Sequence, residues 1–586
     1  MSDHSRATCG HVMFIPLSRR CICSIFPKLP EGRRLPLPKG PVPHNTDNPW
    51  IDTSLKEQRL MTRTKTSWLA ALAVSLGAAS PFPLVAQDLV PPPSGLLENA
   101  TATRITDETA ADSVFFPTIP IATSNDSMVG YENDTSQEMA APACDAEKMK
   151  ALKKAAASAY KPLFFDNDFN YLCDPCYDGC LLGEDLKRLC VGNHGVLDIG
   201  GEYRLRFHNE AHMKPYLNNV NDNFLLQRLR VYANYEVTEN LRVYGEILHA
   251  YSQYETAPPR PIDENYWEIQ NFFVDGKLLE TGNGAWFARF GRQELLYGSQ
   301  RLVSPLDWAN IRRRFDGGKV FYRGDAWDVD AFLTRPIKKA LYEWDSTNQD
   351  QSFYGVFSTY KKSEWGNVDL YWLGYENNAS PFRYQTAGSR LIGGKHGLLY
   401  ELEAAYQFGE YQQANHNAGF FTIGLGHQFE DMAWKPKFMA YYDWASGDAI
   451  TGNGFDQLFP LGHAYLGWMD LFARRNIEDF NFQLTMKPCD QWTLIVWHHI
   501  FNRQDSSDVP YTVVNAPYPG TTAAGSRYLG QEIDFMAKCQ MTPHSDIIFG
   551  YSHFFTGTYF QDQHALNPAV TDNDANFFYT QFTLRF

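Results

Sequence analysis

Arginines recur at alternate positions of two adjoining segments, a spacing suited to anion binding. In Glu202-Tyr203-Arg204-Leu205-Arg206-Phe207-His208, an extended chain puts Tyr203, Leu205 and Phe207 on one face and Glu202, Arg204, Arg206 and His208 on the other. The next segment sets Leu229, Val231, Ala233 and Tyr235 against Arg228, Arg230, Tyr232 and Asn234. A guanidinium offers a planar fork of donors that matches a carboxylate. On a lipid-facing strand surface each such charge would cost about 2–4 kcal/mol near the bilayer midplane, so these arginines are expected to face a lumen. There they form a positive track for an anionic solute. The alternative is a structural ladder in which Glu202 and Glu246 neutralise them.

A second basic group follows at Arg292, Arg301, Arg312 and Arg313, within a long stretch that also carries Asp307 and Asp316. This stretch is expected to leave the outer end of a strand and fold inward as a constriction, cross-braced by the two aspartates. Hydrolytic chemistry finds little support. His208, His249, His498 and His499 are present, but no GxSxG elbow or HExxH helix organises them, and there is no GxxxxGK[ST] loop for a nucleotide. The chain is therefore expected to be no enzyme, to need no cofactor or metal, and to bind no nucleic acid.

Such arginines need a scaffold of strands. From about residue 196 to Phe586, alternating segments separated by turns number about eighteen, which predicts an all-β fold, a transmembrane antiparallel β-barrel of about 18 strands. Short turns such as Thr238-Glu239-Asn240 and Thr542-Pro543-His544 alternate with longer stretches, as periplasmic turns alternate with outer loops. The chain ends in Phe578-Tyr579-Thr580-Gln581-Phe582-Thr583-Leu584-Arg585-Phe586, whose apolar face suits lipid and whose edge needs a partner, expected in the first strand. An aromatic content of 15% suits interfacial girdles. A mean hydropathy of −0.39 and the lack of any mature apolar run long enough for a spanning helix exclude a helical membrane protein. A barrel of this size is expected to enclose water instead of a packed core.

The N-terminal third divides differently. Residues 1–60 resemble no targeting element and are read as an extension from an upstream start codon. Residues 61–86, with Arg63 and Lys65 before the apolar stretch Trp68 to Ala79, are read as a signal peptide. Residues 87–143, rich in Pro, Ser and Thr, form an expected disordered linker, and residues 144–195 a cysteine-containing, mostly irregular periplasmic segment with a short helix near Asp145 to Tyr160. Without residues 1–86 the chain is more acidic than its formal net charge of −15. In an oxidising compartment Cys173, Cys176, Cys180 and Cys190 are disulfide candidates, as are Cys489 and Cys539, expected at one periplasmic rim on neighbouring strands.

Five stretches carry a family resemblance: GEYRLRFHNE at 201–210, FLLQRLRVYANYE at 224–236, GRQELLYGSQRLVSPLDWANIRRRFDGGKVF at 291–321, DVDAFLTRP at 328–336 and AAYQFGEY at 404–411. Together they make residues 165–586 resemble the alginate export outer-membrane barrels. The resemblance implies an eighteen-stranded barrel with a positive constriction passing a polyuronate, Arg292, Arg301, Arg312 and Arg313 in the loop region and Arg204, Arg206, Arg228 and Arg230 on the pore wall. The expected function is passive export of an anionic polysaccharide, with a general or oligosaccharide-uptake porin as the alternative. Expected partners are that polysaccharide, outer-membrane lipid, the assembly machinery that reads the terminal aromatic residue and periplasmic export components, around a monomeric barrel in a Gram-negative-type outer membrane. The cysteine-bearing segment 173–190 and the long linker depart from the family pattern and leave open whether the polymer is alginate or another acidic one.

Overall fold

A computed structural model of the protein describes residues 144–192, 195–214, 217 and 220–586. The expected extension, signal peptide and linker, residues 1–60, 61–86 and 87–143, lie outside the described residues. Eighteen long antiparallel strands close into one barrel. In chain order these are β1 (Gly195–Lys214), β2 (Val220–Thr238), β3 (Leu241–Gln253), β4 (Asn265–Thr281), β5 (Gly284–Gln293), β6 (Phe315–Gly324), β7 (Trp327–Lys338), β8 (Gln351–Ser363) and β9 (Gly366–Asn377). They continue as β10 (Phe382–Lys395), β11 (Leu398–Tyr411), β12 (Ala414–Gln428), β13 (Lys437–Ala445), β14 (Ile477–Cys489), β15 (Trp492–Asn502), β16 (Tyr528–Thr542), β17 (Ser545–Thr556) and β18 (Ala575–Arg585).

Closure joins β1 to β18 from Glu202 opposite Arg585 to Ala211 opposite Asn576. Phe586 completes the seam: its N–H donates to the Gly201 carbonyl (3.0 Å) and its carbonyl accepts from the Gly201 N–H (2.8 Å). Gly201 is required there, since a Cβ would stand 2.7 Å from the Phe586 ring and closer still to the Arg230 carbonyl. The seam leaves no open edge to aggregate or to lose hydrogen bonds in lipid.

Alternation decides which side chains face out. Ile247, Phe272, Phe290, Leu333, Leu370, Leu425, Phe480 and Phe549 are exposed large apolar residues on strands, while their neighbours along the chain are buried or half-buried. In water such a belt would promote association, and in a bilayer it is the lipid contact. The end of the barrel holding both chain ends has short connections, none longer than 429–436, so it is the periplasmic end. The other end carries the long connections 294–314, 446–476, 503–527 and 557–574, the last with helix α2 (Thr558–Leu566); others at this end, such as 378–381 and 412–413, are short, where long outer loops are expected.

The lumen also departs from expectation. It holds a packed core in place of an open water column, because loops 294–314 and 446–476 fold inward and bury Leu302, Trp308, Phe459, Leu466, Trp468 and Phe472 against inward rings of the wall. The pattern read only strand faces; a loop that supplies its own apolar stripe fills the space those faces enclose.

Before the barrel, α1 (Ala146–Ala157) begins at Asp145, whose carboxylate caps Lys148 N (2.7 Å). Short 3₁₀ turns follow at Phe164–Asp166, Asn170–Cys173 and Glu184–Leu186. Their core joins Phe164, Phe165 and Phe169 to Tyr232, Tyr244 and Phe273 of the inner barrel wall.

The cysteine expectations are corrected. The single disulfide among the described residues joins Cys144 to Cys176, while Cys173, Cys180 and Cys190 are exposed outside it. Cys489 and Cys539 form no bond: Cys489 ends β14 instead of opening β15, and Trp492 of β15 pairs with Cys489 on one side and Cys539 on the other. A whole strand separates the two thiols, whereas a disulfide needs Cα atoms within about 7 Å.

Candidate functional site

The strand pattern delivers Arg204 and Arg206 from β1 and Arg228 and Arg230 from β2 to the inner face, each at most 2% exposed. Register sets Arg204 opposite Arg228 and Glu202 opposite Arg230. Like charges so close need counter-charges or desolvated acceptors. The wall supplies part of them: Arg228 Nη2 donates to Glu202 Oε1 (2.6 Å), and Arg230 Nε to Glu246 Oε1 on β3 (2.6 Å).

Loop 294–314 supplies the rest. Asp307 bridges Arg228 (2.7 Å) and Arg312 of its own loop. The carbonyls of Asp307, Trp308 and Ala309 accept from Arg204, and the Trp308 carbonyl also accepts from Arg206 (2.6 Å). The Trp308 ring lies 3.7 Å from the Arg206 guanidinium and 3.8 Å from the His463 ring of loop 446–476. Burial would raise the Asp307 pKa, but Arg228 and Arg312 outweigh it and hold the carboxyl far below the usual range. The constriction is thus a loop clamped by wall arginines through backbone carbonyls and one shared carboxylate.

A bulge in β4 sets where this loop begins. Gln270 and Asn271 are both buried, and the register against β3 shifts between Glu246 and Ile247. Gln270 donates to Glu294 (2.8 Å), and the Glu294 N–H donates to Asn271 (2.9 Å). Glu294 then pairs with Arg312, completing the return of the loop.

The eight sequence-predicted arginines separate into groups. Arg204, Arg230 and Arg312 line one cavity of about 100 Å³ together with Glu202, Asp307 and Trp308. Arg206 and Arg228 mainly hold the loop. Arg292 grips Asp316 bidentately (2.9 and 3.1 Å) and reaches Glu268 (3.2 Å), a brace between strands. Arg301 is buried against Glu401 (2.6 Å), Glu403 (2.9 Å) and the Tyr465 ring. Arg313 donates to the carbonyls of Ser304 (3.2 Å) and Pro460 (3.3 Å), joining the two inward loops.

Sequence reading passed over a second basic patch nearer the periplasmic end. Arg242 and Arg289 share Asp275, and Lys319 and Arg323 share Asp330. The signal was available in the same alternation: Arg242, Tyr244 and Glu246 share one face of β3, Phe287 and Arg289 one face of β5. Arg289, Lys319 and Arg323 line a cavity of about 260 Å³ with Asp166 of the N-terminal segment.

The alginate export family profile matches residues 196–568. No curated protein matches the sequence. Among solved structures, the chain is similar to the outer membrane protein OprD from Pseudomonas aeruginosa at 10% identity and TM-score 0.45, over 66% of this chain and 94% of that one. It is similar to Pseudomonas aeruginosa OccD3 (OpdP) at 10% identity and TM-score 0.44, over 66% and 91%, and to OccK11 (OpdR) of the same organism at 11% and 0.45, over 67% and 96%. With the family profile covering most of the barrel, the chain belongs to the alginate export family of outer-membrane channels.

Proposed function

We propose that this outer-membrane channel passes an anionic polysaccharide, a polyuronate of the alginate type, outward along the arginine-bearing wall, passively and without catalysing a reaction. The supporting observation is the cavity shared by Arg204, Arg230 and Arg312, which gathers cationic side chains from β1, β2 and the constricting loop at one place inside the barrel wall. Arg204 carries the reading furthest, because its hydrogen bonds go to backbone carbonyls and not to a carboxylate, which favours a solute carboxylate as its counter-ion. Opposite unit charges 4 Å apart attract by roughly 4 kcal/mol at an effective dielectric of 20, so a single strong site would trap a polymer. Here Glu202, Asp307 and Glu294 compete for the neighbouring arginines, and a uronate can exchange with them step by step.

Reversal potentials of the purified chain in lipid bilayers under a salt gradient test this reading, alongside liposome swelling with neutral and uronate oligosaccharides of equal size. Anion preference that falls when Arg204 and Arg230 are replaced by glutamine is the expected result. Equal permeation by both sugars would favour the general or oligosaccharide-uptake porin instead.

A further inference from the structure

Residues 160–169 pack on the inner wall at the periplasmic end of the barrel, against groups that an acidic sugar would itself seek. The Phe164 ring lies 3.9 Å from the Arg230 guanidinium and packs on Tyr232, and the Phe165 ring lies 4.2 Å from the Arg289 guanidinium and packs on Tyr244 and Phe273. The Pro162 carbonyl accepts from Arg312 Nη2 (3.1 Å), the Phe165 carbonyl from Arg242 Nη1 (2.6 Å). Asn167 donates to the Tyr232 hydroxyl (3.2 Å), and the Tyr160 ring meets His544 in a periplasmic turn. Asp166 brings a carboxyl to the cavity of Arg289, Lys319 and Arg323.

To this wall, then, the segment presents oxygen acceptors, one carboxyl and flat faces. A chain of uronic acids presents the same set: carboxylate and hydroxyl oxygens for guanidinium groups, and sugar faces for aromatic rings. Resting on the polyuronate reading above, we propose that residues 159–187 are a displaceable plug occupying a uronate-binding tract built from Arg230, Arg242, Arg289, Arg312, Tyr232 and Phe273, and that polymer arriving from the periplasm takes its place.

The attachment suits displacement. The Cys144–Cys176 disulfide lies wholly within the N-terminal segment, so among the described residues no covalent cross-link ties the plug to the barrel. The chain re-enters the wall at Arg188, whose side chain pairs with Glu236 (3.0 Å) and whose N–H donates to Asp198 (2.6 Å). That fixed point leaves the preceding residues able to swing on it while the barrel stays closed.

Single-channel recording of the full chain against the Phe164→Ala/Phe165→Ala variant tests the plug, with compact, heat-resistant electrophoretic migration as the check that the barrel has formed. The open fraction is expected to rise by about a hundredfold or more, as truncation of two buried phenylalanines in a docking contact implies. An unchanged open fraction in a folded variant overturns the plug. A second measurement needs no variant: an acidic uronate oligosaccharide added to the full chain should speed protease cleavage within 159–187, and a neutral oligosaccharide of equal length should not. No acceleration by the uronate, or equal acceleration by both, overturns the uronate tract. A variant that opens but shows no anion preference would sink the polyuronate reading and leave the plug standing.

Discussion

Along β1 to β5, buried arginines meet carboxylates drawn from neighbouring strands and from an inward loop; along β13 to β16, buried carboxylates are met by backbone N–H groups, histidine and one loop arginine. On the first wall Arg228 is shared by Glu202 and Asp307, and Arg242 and Arg289 both hold Asp275. On the second, the Met469 N–H donates to Glu532 (2.8 Å), His499 Nδ1 meets Asp479 Oδ2 (2.8 Å), and Arg474 reaches Asp443 from loop 446–476. The basic wall borders two cavities, and one of its carboxylates, Asp307, comes from an inward loop. The acidic wall borders a cavity of about 270 Å³ beside Asp443, while loop 446–476 covers Glu532 and holds Asp443 through Arg474. Exposed carboxylates repel a polyanion, so on the proposed function a solute is expected to keep to the arginine-bearing wall.

The largest effect expected from this contrast is on stability. Arg228→Met leaves the buried Glu202 without its closest cation and Asp307 with Arg312 alone, and removing one partner of a buried pair costs about 3–5 kcal/mol. Glu532→Gln keeps the acceptor for Met469 N–H and should cost about 1 kcal/mol or less. Denaturant unfolding of both variants in lipid vesicles measures the difference; equal losses would break the comparison.

Selectivity should divide the walls in the same way. Arg204→Gln removes a charge whose hydrogen bonds go to carbonyls, so anion preference should drop severalfold while the loop keeps partial anchoring through Arg206 and Arg228. Glu532→Gln should leave the reversal potential in place. A shift as large as that of Arg204→Gln would mean that the solute also meets the acidic wall.

What the sequence made legible follows from how local each signal is. Alternation sorted Arg204, Arg206, Arg228 and Arg230 from Leu205 and Leu229, because lipid on one side and lumen on the other impose a period of two. It also located the closing strand at Phe586. It carries no information on long-range partners, so the four residues looked equivalent until Trp308 and Asp307 arrived from more than seventy residues away. The inward course of 294–314 follows from its arginines, but loop 446–476 and the seat of the N-terminal segment escape for the same reason: Pro162, Phe164 and Phe165 read as irregular periplasmic chain until their neighbours Arg312, Arg230 and Arg289 are known. The Cys489–Cys539 expectation failed by one strand boundary, which changed neighbouring strands into next-neighbouring ones.

A smaller effect should appear with pH at the root of the plug. Burial against Phe169 and Tyr232 brings the Lys187 pKa down to about 8, opposed by Asp198, Asp185 and Glu184. The docked segment therefore binds fewer protons than the undocked one between about pH 8 and the ordinary lysine value near 10.4. Below that window both states are protonated and docking is independent of this group; as pH rises through it, docking strengthens. Channel openings should become rarer from pH 8 to 10 in the native chain, and Lys187→Met should flatten that trend.

The smallest effect on conduction is expected from reducing Cys144–Cys176. A cross-link at a sequence separation of 32 restricts the unfolded segment by about 3–4 kcal/mol on chain-entropy grounds. Both sulfurs lie in the N-terminal segment, so that restraint orders α1 and the turn at Cys176 and is not part of the grip that Arg230 and Arg289 have on Phe164 and Phe165. Reduction should speed hydrogen exchange across Ala146–Ala157 and leave the open fraction as it was. An open fraction that instead rose toward that of Phe164→Ala/Phe165→Ala would mean that the covalent tie, and not the arginine wall, keeps the plug folded into its seat, and the contrast between a wall that binds and a wall that a loop satisfies would lose its best witness.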